Sequence, residues 1–212
     1  MKKRDNVALE RIATQAIAFA EGVVWPYDDD DLRLVRSVEE FEAISALRSQ
    51  VLREMGYDKL LPDPIDGYHF DAHDTRSAIF YTQKAGRITG TCRVVFDDGV
   101  TLPIDEQISV DFLRRDDRRI AELSRFVIDP TRRGSGREFR LLIKGMYGIV
   151  AYNALDRAVT AIRHEHYRYY ADVGGFRIEA QLRSFGTIDH PFIVASWDTT
   201  QVSERFKRLF LR

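Results

Sequence analysis

Apolar residues recur along the chain with two different spacings, and each spacing predicts a different kind of element. Between residues 38 and 55 they recur every three or four positions, as at Phe41 and Ile44, which predicts an amphipathic helix. Ser37 and Glu40 have the spacing of a capping box, in which each side chain satisfies a backbone N–H at the helix start. Further helices are predicted over residues 6–21, 139–155, 164–173 and 201–211.

Short apolar stretches bounded by Gly, Pro and Asp predict strands. These strands cover residues 32–35, 77–83, 88–96, 119–128, 157–163 and 191–197. Residues 56–76 are rich in Pro, Asp and Gly and predict a long loop, which in a compact domain usually has a function. The order of elements, with a helix, several strands and then strand–helix–strand, predicts an α/β protein with a mixed sheet.

Composition sets the class of protein. The chain has 212 residues, 44% of them hydrophobic and 31% charged, which is ordinary for a globular domain and excludes a disordered or collagen-like chain. We expect an N-terminal helix and acidic linker over residues 1–31 and one domain over residues 32–212. The one cysteine, Cys92, cannot form a disulfide within the chain, so the cytoplasm is the expected compartment. No apolar run approaches the roughly 20 residues that span a bilayer.

Charge is distributed unevenly along the chain. The formal net charge is −1, so no whole-molecule field favours binding to nucleic acid. Between Arg114 and Lys144, however, ten basic residues stand against five acidic ones, and Asp28 to Asp31 are four consecutive aspartates. A solvated surface is the ordinary interpretation of such runs. A basic surface that docks an acidic partner is the alternative.

The segment from Val127 to Gly136 has the pattern of a strand that runs through a glycine-containing turn into a helix. Free backbone N–H groups and the helix dipole make such a turn suitable for an anion. Three arginines add full positive charges, namely Arg132, Arg133 and Arg137. The simpler interpretation is a βα turn whose glycines relieve steric strain.

Charged residues inside apolar strands are the second chemical signal. Arg93 and Glu122 each lie within a predicted strand, where a charged residue is seldom buried unless it is paired. In a regular strand Glu122 and Arg125 would point to opposite faces, so they can share one cluster only if the strand has a bulge. The cluster predicts either a functional site or an ion-pair network that fixes the loop over residues 56–76 onto the sheet.

Several of these segments together resemble one family of enzymes. Residues 121–126 (AELSRF) resemble the E-x-S-R-F strand of acyl-homoserine-lactone synthases and of the related N-acyl amino acid synthases. Residues 90–93 (GTCR) resemble the G-x-x-R strand of that family, residues 70–75 (FDAHDT) its D-x-x-D-T stretch, and residues 47–52 (LRSQVL) its R-x-x-V-F helix. The resemblance extends over about residues 32–200.

The resemblance implies a fold and a set of residue roles. The fold is the GNAT-like three-layer α-β-α architecture with a mixed, splayed central sheet, and the strand of Glu122 is expected to carry a bulge. The implied catalytic residues are Glu122, Arg93 and Arg125. The implied substrate-binding residues are Arg48, Asp71, Asp74, Ser124 and Phe126. The implied acyl-donor-binding residues are Val127, Ile128, Arg132, Arg133, Gly134, Gly136 and Arg137.

The donor loop of this superfamily has the pattern Q/R-x-x-G-x-G/A. Arg133 and Gly136 match its first two positions, whereas Glu138 stands where the final Gly or Ala belongs. A carboxylate there would repel the pyrophosphate of coenzyme A if it points inward. This departure fits a donor that presents one phosphodiester, as the phosphopantetheine of acyl carrier protein does. No permanently bound cofactor and no metal are expected.

The resemblance implies acyl transfer from acyl carrier protein to the amine of an amino acid, with Glu122 as the base. Either Arg48 or Arg93 would hold the amino acid carboxylate in a two-point fork. The lactone-forming relatives use S-adenosylmethionine, and their Phe and Trp signatures correspond here to Leu52 and Tyr57. A lactone (autoinducer) synthase, a coenzyme A-dependent N-acyltransferase and a non-catalytic acyl-binding module are the alternatives.

Two histidines and the one cysteine are residue types that can bind a metal or act as a nucleophile. His69 and His73 have a spacing that suits a metal pair on a helix, but the surrounding Pro, Asp and Gly residues predict a loop. On its strand Cys92 shares a face with Ile88, Val94 and Phe96, so a packed core thiol is expected rather than a nucleophile.

Overall fold

A mixed sheet of seven strands organises the fold, and helices cover both of its faces. The computed structural model describes residues 7–57, 67–99, 101–134 and 136–212. The strands are β1 Leu32–Leu34, β2 Ser77–Lys84, β3 Arg87–Phe96, β4 Ile120–Ile128, β5 Arg157–Arg163, β6 Arg177–Leu182 and β7 Phe192–Trp197. The helices are α1 Val7–Glu21, α2 Val38–Glu54, α3 Arg137–Tyr152, α4 Tyr167–Gly174 and α5 Glu204–Phe210. Within these described ranges no helix is long and apolar enough to cross a membrane.

The strands lie in the order β1-β2-β3-β4-β5-β7-β6. Strands β1 to β4 form an antiparallel meander, and β5, β7 and β6 form a second antiparallel group. The two groups meet at the parallel pair β4–β5. Because α3 connects this parallel pair, it crosses over one face of the sheet.

Alternating side chains divide the core into two layers. Ile79 and Tyr81 of β2 pack with α1 and α2 on one face. Phe80, together with Leu123 and Trp197, packs with α3 and α5 on the opposite face. The expected three-layer architecture with a mixed central sheet is therefore confirmed.

Most predicted elements are present, with shifted ends. The capping box of α2 is confirmed, since Ser37 Oγ accepts from Glu40 N–H and Glu40 Oε2 accepts from Ser37 N–H. The predicted C-terminal helix over residues 201–211 is shorter, because Ser203 caps the helix that begins at Glu204. The predicted loop 56–76 ends in a 3₁₀ turn, Ala72–Arg76, and its residues 58–66 lie outside the described residues, as does residue 6 of the predicted first helix.

One strand was missed by the sequence analysis. β6, Arg177–Leu182, is an edge strand that pairs only with β7 among the described strands. Its residues, RIEAQL, alternate polar and apolar, although all of them are exposed or half-buried. The period-two signal of a strand was therefore present over these six residues and was overlooked.

The described part of the N-terminal segment packs on the rest of the chain. α1 buries the side chains on one face, among them Leu9 and Ile12, against the α2 face of the sheet. The linker then follows α3. Val24 exchanges two hydrogen bonds with the side chain of Asn153 (2.8 and 3.0 Å), and the Tyr27 hydroxyl donates to the carbonyl of Lys144 (2.7 Å).

Close packing of α3 on the sheet gives a first prediction. A Cβ atom at Gly145 would lie 2.4 Å from Cε2 of the buried Phe80 ring. We therefore expect Gly145→Ala to lower the free energy of unfolding by about 1–3 kcal/mol, although alanine has the higher helix propensity. Urea unfolding measures the change, and Arg140→Ala at an exposed position of α3 is the control. An unchanged or higher urea midpoint for Gly145→Ala would contradict the packing argument.

Candidate active site

The sheet splits between β4 and β5. Their parallel pairing extends only from Ile120–Arg157 to Glu122–Val159, although β4 continues to Ile128 and β5 to Arg163. Beyond Glu122, β4 stays with β3 and β5 stays with β7. The sheet is therefore splayed, as expected, and Glu122 is the last paired residue of β4 before the gap.

A bulge in β4 lies directly beside this gap. Arg93 of β3 is paired with Ser124, whereas Thr91 is paired with Val127, so β4 has one extra residue in this interval. Arg125 has a positive φ of 53°, which is unusual for a residue other than glycine. The bulge puts Arg125 on the same face as Ser124, where its side chain reaches Asp71. The expectation of a bulge is confirmed.

Backbone groups of β4 face the gap. The N–H of Asp129 donates to the carbonyl of Thr89 on β3 (2.9 Å), and Val127 is paired with Thr91 two positions away. Because backbone groups of an antiparallel strand alternate between its two neighbours, those of Ile128 and Phe126 point to the other side. That side is the gap left by β5.

Three arginines and two aspartates form a continuous network on the α2 face, in which Arg48, Asp74 and Arg93 are buried and Asp71 and Arg125 are partly exposed. Asp74 Oδ1 accepts from Arg48 Nη1 (3.1 Å) and from Arg93 Nη1 (3.2 Å). Asp71 Oδ1 accepts from Arg93 Nη1 (2.6 Å), and its Oδ2 accepts from Arg125 Nη2 (2.9 Å). The sequence places these five residues on four separate elements, and the fold joins them through shared carboxylate oxygens.

Local backbone structure fixes the two carboxylates. Asp71 and Asp74 form a capping box at the 3₁₀ turn Ala72–Arg76. The N–H of His73 donates to Asp71 Oδ1, and the N–H of Asp71 donates to Asp74 Oδ2, each at 2.9 Å. Ser124 completes the network, since its hydroxyl accepts from Arg93 Nε (3.0 Å).

The charges of the network shift the pKa values of its members. Burial alone would raise the pKa of Asp71, but the charges and hydrogen bonds of Arg93 and Arg125 hold it well below its usual range. For Arg93, burial disfavours the charge, yet Asp74, Asp71 and Glu122 raise its pKa. For Arg48, burial prevails and lowers the pKa, with only Asp74 opposing it among the nearby charges.

Glu122 has a different environment from the two aspartates. It is 4% exposed, and its Oε2 accepts a hydrogen bond from the backbone N–H of Ile104 (2.7 Å). Burial raises the pKa of Glu122 to about 7, against the opposing effects of Arg93 and of the Ile104 hydrogen bond. A carboxylate with a pKa in this range can both accept and return a proton near neutral pH.

Ile104 was not identified by the sequence analysis. It lies in the 3₁₀ turn Pro103–Glu106, within a stretch for which no element was predicted. The turn is fixed by Asp105, whose carboxylate accepts from the N–H groups of Leu102 and Val110 (both 3.0 Å) and pairs with Arg114. Pro103 followed by Asp105 is a signal of a turn, but only the fold shows that this turn lies beside Glu122.

The predicted donor loop lies where β4 leads into α3. A 3₁₀ turn, Pro130–Arg132, is followed by Gly134 and Gly136 with positive φ angles of 92° and 68°. Gly136 stands at the N-cap of α3, and no side chain of the described residues caps the helix there. The first turn of α3 therefore has N–H groups that no capping side chain satisfies.

Glu138 is buried in this loop, with 1% exposure. Its Oε1 accepts from Arg132 Nε (3.3 Å) and from Arg137 Nη1 (3.4 Å). The carboxylate thus points inward, and it compensates part of the positive charge of the loop.

The basic residues of the donor loop and of α3 include two pairs with different surroundings. Arg137 pairs with Asp31, and Lys144 lies 3.8 Å from Asp29, so the acidic linker neutralises part of the surface. Arg133 and Arg140 are exposed. Neither has an ion-pair partner within the described part of the chain.

A small cavity of about 20 Å³ lies behind the gap, on the α3 face of the sheet. Its lining is mostly apolar and comes from Cys92, Leu123, Phe126, Met146, Thr160, Tyr170 and Phe176. Cys92 is buried there, and burial raises the pKa of its thiol to about 12, as expected of a core thiol. Among the residues that the structure describes, no group of three or more His, Cys, Asp or Glu side chains could hold a metal ion.

Comparisons with known proteins agree with this arrangement. A family model described as N-acyl amino acid synthase FeeM matches residues 43–198. The structure of FeeM, an N-acyl amino acid synthase from uncultured soil microbes, is 19% identical, has a TM-score of 0.65, and the match covers 85% of this chain and 94% of that one. No curated protein matches the chain at a significant level.

Two acyl-homoserine lactone (AHL) synthases have similar folds. The coenzyme A-dependent synthase BjaI, solved with S-adenosylmethionine and isopentyl-CoA, is 15% identical with a TM-score of 0.62, over 81% of this chain and 80% of that one. The AHL synthase LasI is 14% identical with a TM-score of 0.64, over 84% of this chain and 93% of that one. The resemblance to these synthases inferred from the motifs is confirmed. Since the family model spans most of the chain, this protein belongs to the FeeM N-acyl amino acid synthase family and is an enzyme that transfers an acyl group to an amine.

Proposed function

We propose that the protein transfers a fatty acyl group from the thioester of acyl carrier protein to the α-amine of an amino acid. The observation that carries this proposal is the position of Glu122, a buried carboxylate with a pKa of about 7 at the vertex of the split in the sheet. It lies on the strand whose free backbone groups face the gap. This arrangement supplies a base and a site for developing negative charge at one place.

The reaction follows from these groups. Glu122 removes a proton from the ammonium of the amino acid, directly or through one water, because only the free amine is a nucleophile. The amine attacks the thioester carbonyl, and gap-facing N–H groups of Phe126 and Ile128 stabilise the oxyanion of the tetrahedral intermediate. The nitrogen of the intermediate then loses its second proton to water, the C–S bond breaks, and the thiol leaves with the proton held by Glu122, so that one proton is released overall for each amide formed. The product is an amide.

The cavity behind the gap is the proposed site for the acyl tail. It adjoins Leu123 and Phe126 of β4 and is enclosed by aromatic side chains of α4 and the following residues, including Tyr170 and Phe176. Its volume of about 20 Å³ holds roughly one water molecule, so a longer tail requires these side chains to move.

The donor loop supports a carrier protein rather than free coenzyme A. The inward carboxylate of Glu138 already occupies Arg132 and Arg137, and it would repel a pyrophosphate bound at the start of α3. A single phosphodiester carries less charge into this position. The phosphopantetheine of acyl carrier protein is such a group.

Arg133 and Arg140 are the proposed contacts for the carrier protein, because they are exposed and are not paired with the acidic linker. We expect reversal of both charges, Arg133→Glu with Arg140→Glu, to raise KM for acyl carrier protein at least 10-fold at low salt, with kcat nearly unchanged. The effect should diminish as salt is added, since surface charges are screened. Steady-state kinetics across ionic strengths measure it.

A matched control for this surface is Arg115→Glu, at an exposed position remote in sequence from α3. This variant should retain the KM of the unmodified protein. Equal KM values for the double variant and the control would contradict the proposed docking surface.

One experiment tests the proposed function directly. The protein is incubated with long-chain acyl carrier protein and the twenty amino acids, and N-acyl products are detected by mass spectrometry. Parallel reactions replace the donor with acyl-CoA or the acceptors with S-adenosylmethionine. N-acyl amino acids only with the carrier protein support the proposal. A lactone product, or activity with acyl-CoA alone, would contradict it.

A further inference from the structure

The arginines of the network differ in which nitrogen atoms are occupied. Arg93 donates through Nε to Ser124 and through Nη1 to both aspartates. Among the described residues, Arg48 donates only through Nη1, to Asp74. Its side chain is 0% exposed, and its Nε and Nη2 atoms have no hydrogen-bond partner in residues 7–57, 67–99, 101–134 and 136–212.

The two free nitrogen atoms of Arg48 form one edge of the guanidinium. Nε–H and one Nη2–H point in parallel, at the spacing of the two oxygen atoms of a carboxylate. Buried donors without a protein partner are rare and destabilising, so such an edge is suited to bind a ligand that accepts both hydrogen bonds. A carboxylate satisfies both donors at once.

Charge and a neighbouring hydroxyl support an anion at this edge. Ser45 lies one turn before Arg48 on α2, and its buried Oγ likewise has no hydrogen-bond partner in the part of the chain that the structure describes. Arg48, Arg93 and Arg125 carry three positive charges, whereas Asp71 and Asp74 carry two negative ones. Burial lowers the pKa of Arg48, and an additional negative charge would offset that effect.

We infer that the Nε–Nη2 edge of Arg48 binds the α-carboxylate of the acceptor amino acid, with the Ser45 hydroxyl on the same side of the helix as a further polar contact. This inference rests on the proposed function and identifies the residue that selects an amino acid over a simple amine. Asp74 Oδ1 accepts hydrogen bonds from both Arg48 and Arg93. Arg93 on β3 is in turn paired with Ser124 on β4, which lies two residues after Glu122. The carboxylate is thereby placed on the same face of the sheet as the base.

Arg93 is excluded from this role by its own contacts. Its Nε is occupied by Ser124 and its Nη1 by Asp71 and Asp74, so a ligand would have to displace hydrogen bonds that the fold already makes. Its position within β3 is also fixed by the pairing with Ser124. Of the two arginines that the sequence left open, only Arg48 has a two-donor edge to which none of the described residues is hydrogen-bonded.

The kinetic test compares each accepted amino acid with its decarboxylated amine. We expect the unmodified protein to prefer the amino acid, and Arg48→Lys to lower kcat/KM for the amino acid by roughly 10–100-fold while leaving that for the amine nearly unchanged. Lysine keeps the charge beside Asp74 but cannot form the two-point fork. The control is Arg53→Lys on the exposed side of α2, for which neither value should change. Equal losses for amino acid and amine, or no loss, would overturn the inference.

A binding measurement on the unmodified protein does not depend on the folding of Arg48→Lys or on catalysis. The Nε–H resonance of Arg48 is followed by ¹⁵N NMR while L-amino acids, or the corresponding amines, are titrated. We expect a saturable shift with at least one amino acid and none with its amine. If no amino acid moves the resonance, the inference is wrong. A shift without any acylated product would instead count against the proposed function and leave the carboxylate site standing.

Discussion

Glu122→Gln is expected to lower the rate of acyl transfer by about 10²–10⁴-fold while leaving the fold and donor binding intact. Glutamine has nearly the same shape and can still accept the hydrogen bond from Ile104 N–H, which now measures 2.7 Å. It cannot remove a proton from the ammonium of the acceptor. Single-turnover kinetics with acyl carrier protein, together with a direct binding assay for the donor, separate the two effects.

The same residue predicts a pH dependence. Only the ionised carboxylate is a base, so the rate should rise with pH through about 7, the pKa to which burial raises Glu122, and then level off. Arg93 and Arg125 face this carboxylate with positive charge and Asp71 with negative charge, and Asp71 stays ionised because its pKa is held low. A single ionisation near pH 7 is therefore expected in the rising limb.

Stability should change with pH in the opposite sense. The folded state holds the Glu122 proton more tightly than the unfolded state, where the pKa is near its ordinary value of 4.5. The contribution of Glu122 to stability is thus complete below about pH 4.5 and is lost as the pH rises through 7, by about 3 kcal/mol. Relative to Glu122→Gln, the unmodified protein should lose that amount between pH 4 and pH 8 in urea unfolding experiments.

The control for these measurements is Glu106→Gln, in the turn that also contains Ile104. The Glu106 side chain is 63% exposed, so its substitution should change neither the rate nor the pH profile. A Glu122→Gln protein with a near-normal rate would show that another group is the base. A flat stability difference between pH 4 and pH 8 would show that the pKa of Glu122 is not raised by burial.

Asp74→Ala is expected to lower the free energy of unfolding by about 3–5 kcal/mol. One oxygen of Asp74 accepts hydrogen bonds from both Arg48 and Arg93, and all three side chains are almost wholly buried. Removing the carboxylate leaves two buried guanidinium groups facing each other with one fewer negative charge. Urea unfolding at pH 7 measures the loss.

Asp98→Ala provides the matched control, because it removes the carboxylate of the ion pair between Asp98 and Arg76. The Asp98 side chain is 50% exposed. An exposed pair contributes at most about 1 kcal/mol, so a small change is expected. Asp74→Asn should fall between the two, since it retains a hydrogen-bond acceptor without the charge. If Asp74→Ala and Asp98→Ala are equally mild, the network is not a buried electrostatic unit.

The sequence alone predicted the elements that carry a strong periodic signal. The capping box at Ser37 and Glu40, the long helix that follows it and the strand that contains Glu122 each depend on local side-chain chemistry. The edge strand β6 was overlooked although its six residues alternate polar and apolar, and the turn around Ile104 was missed because its importance comes from a distant residue. Local patterns do not encode contacts between segments that are far apart in the chain.

The sequence by itself determined that charged residues lie within apolar strands and that Glu122 and Arg125 require a bulge to share one face. The tertiary structure decided that Arg48, from a separate helix, joins this cluster through Nη1, while no described residue is hydrogen-bonded to its Nε–Nη2 edge. It also decided that part of the basic surface of α3 is neutralised by the linker through Asp29 and Asp31. The physical reason is that periodicity and capping act over a few residues, whereas burial and charge compensation depend on which distant side chains the packed chain brings into contact.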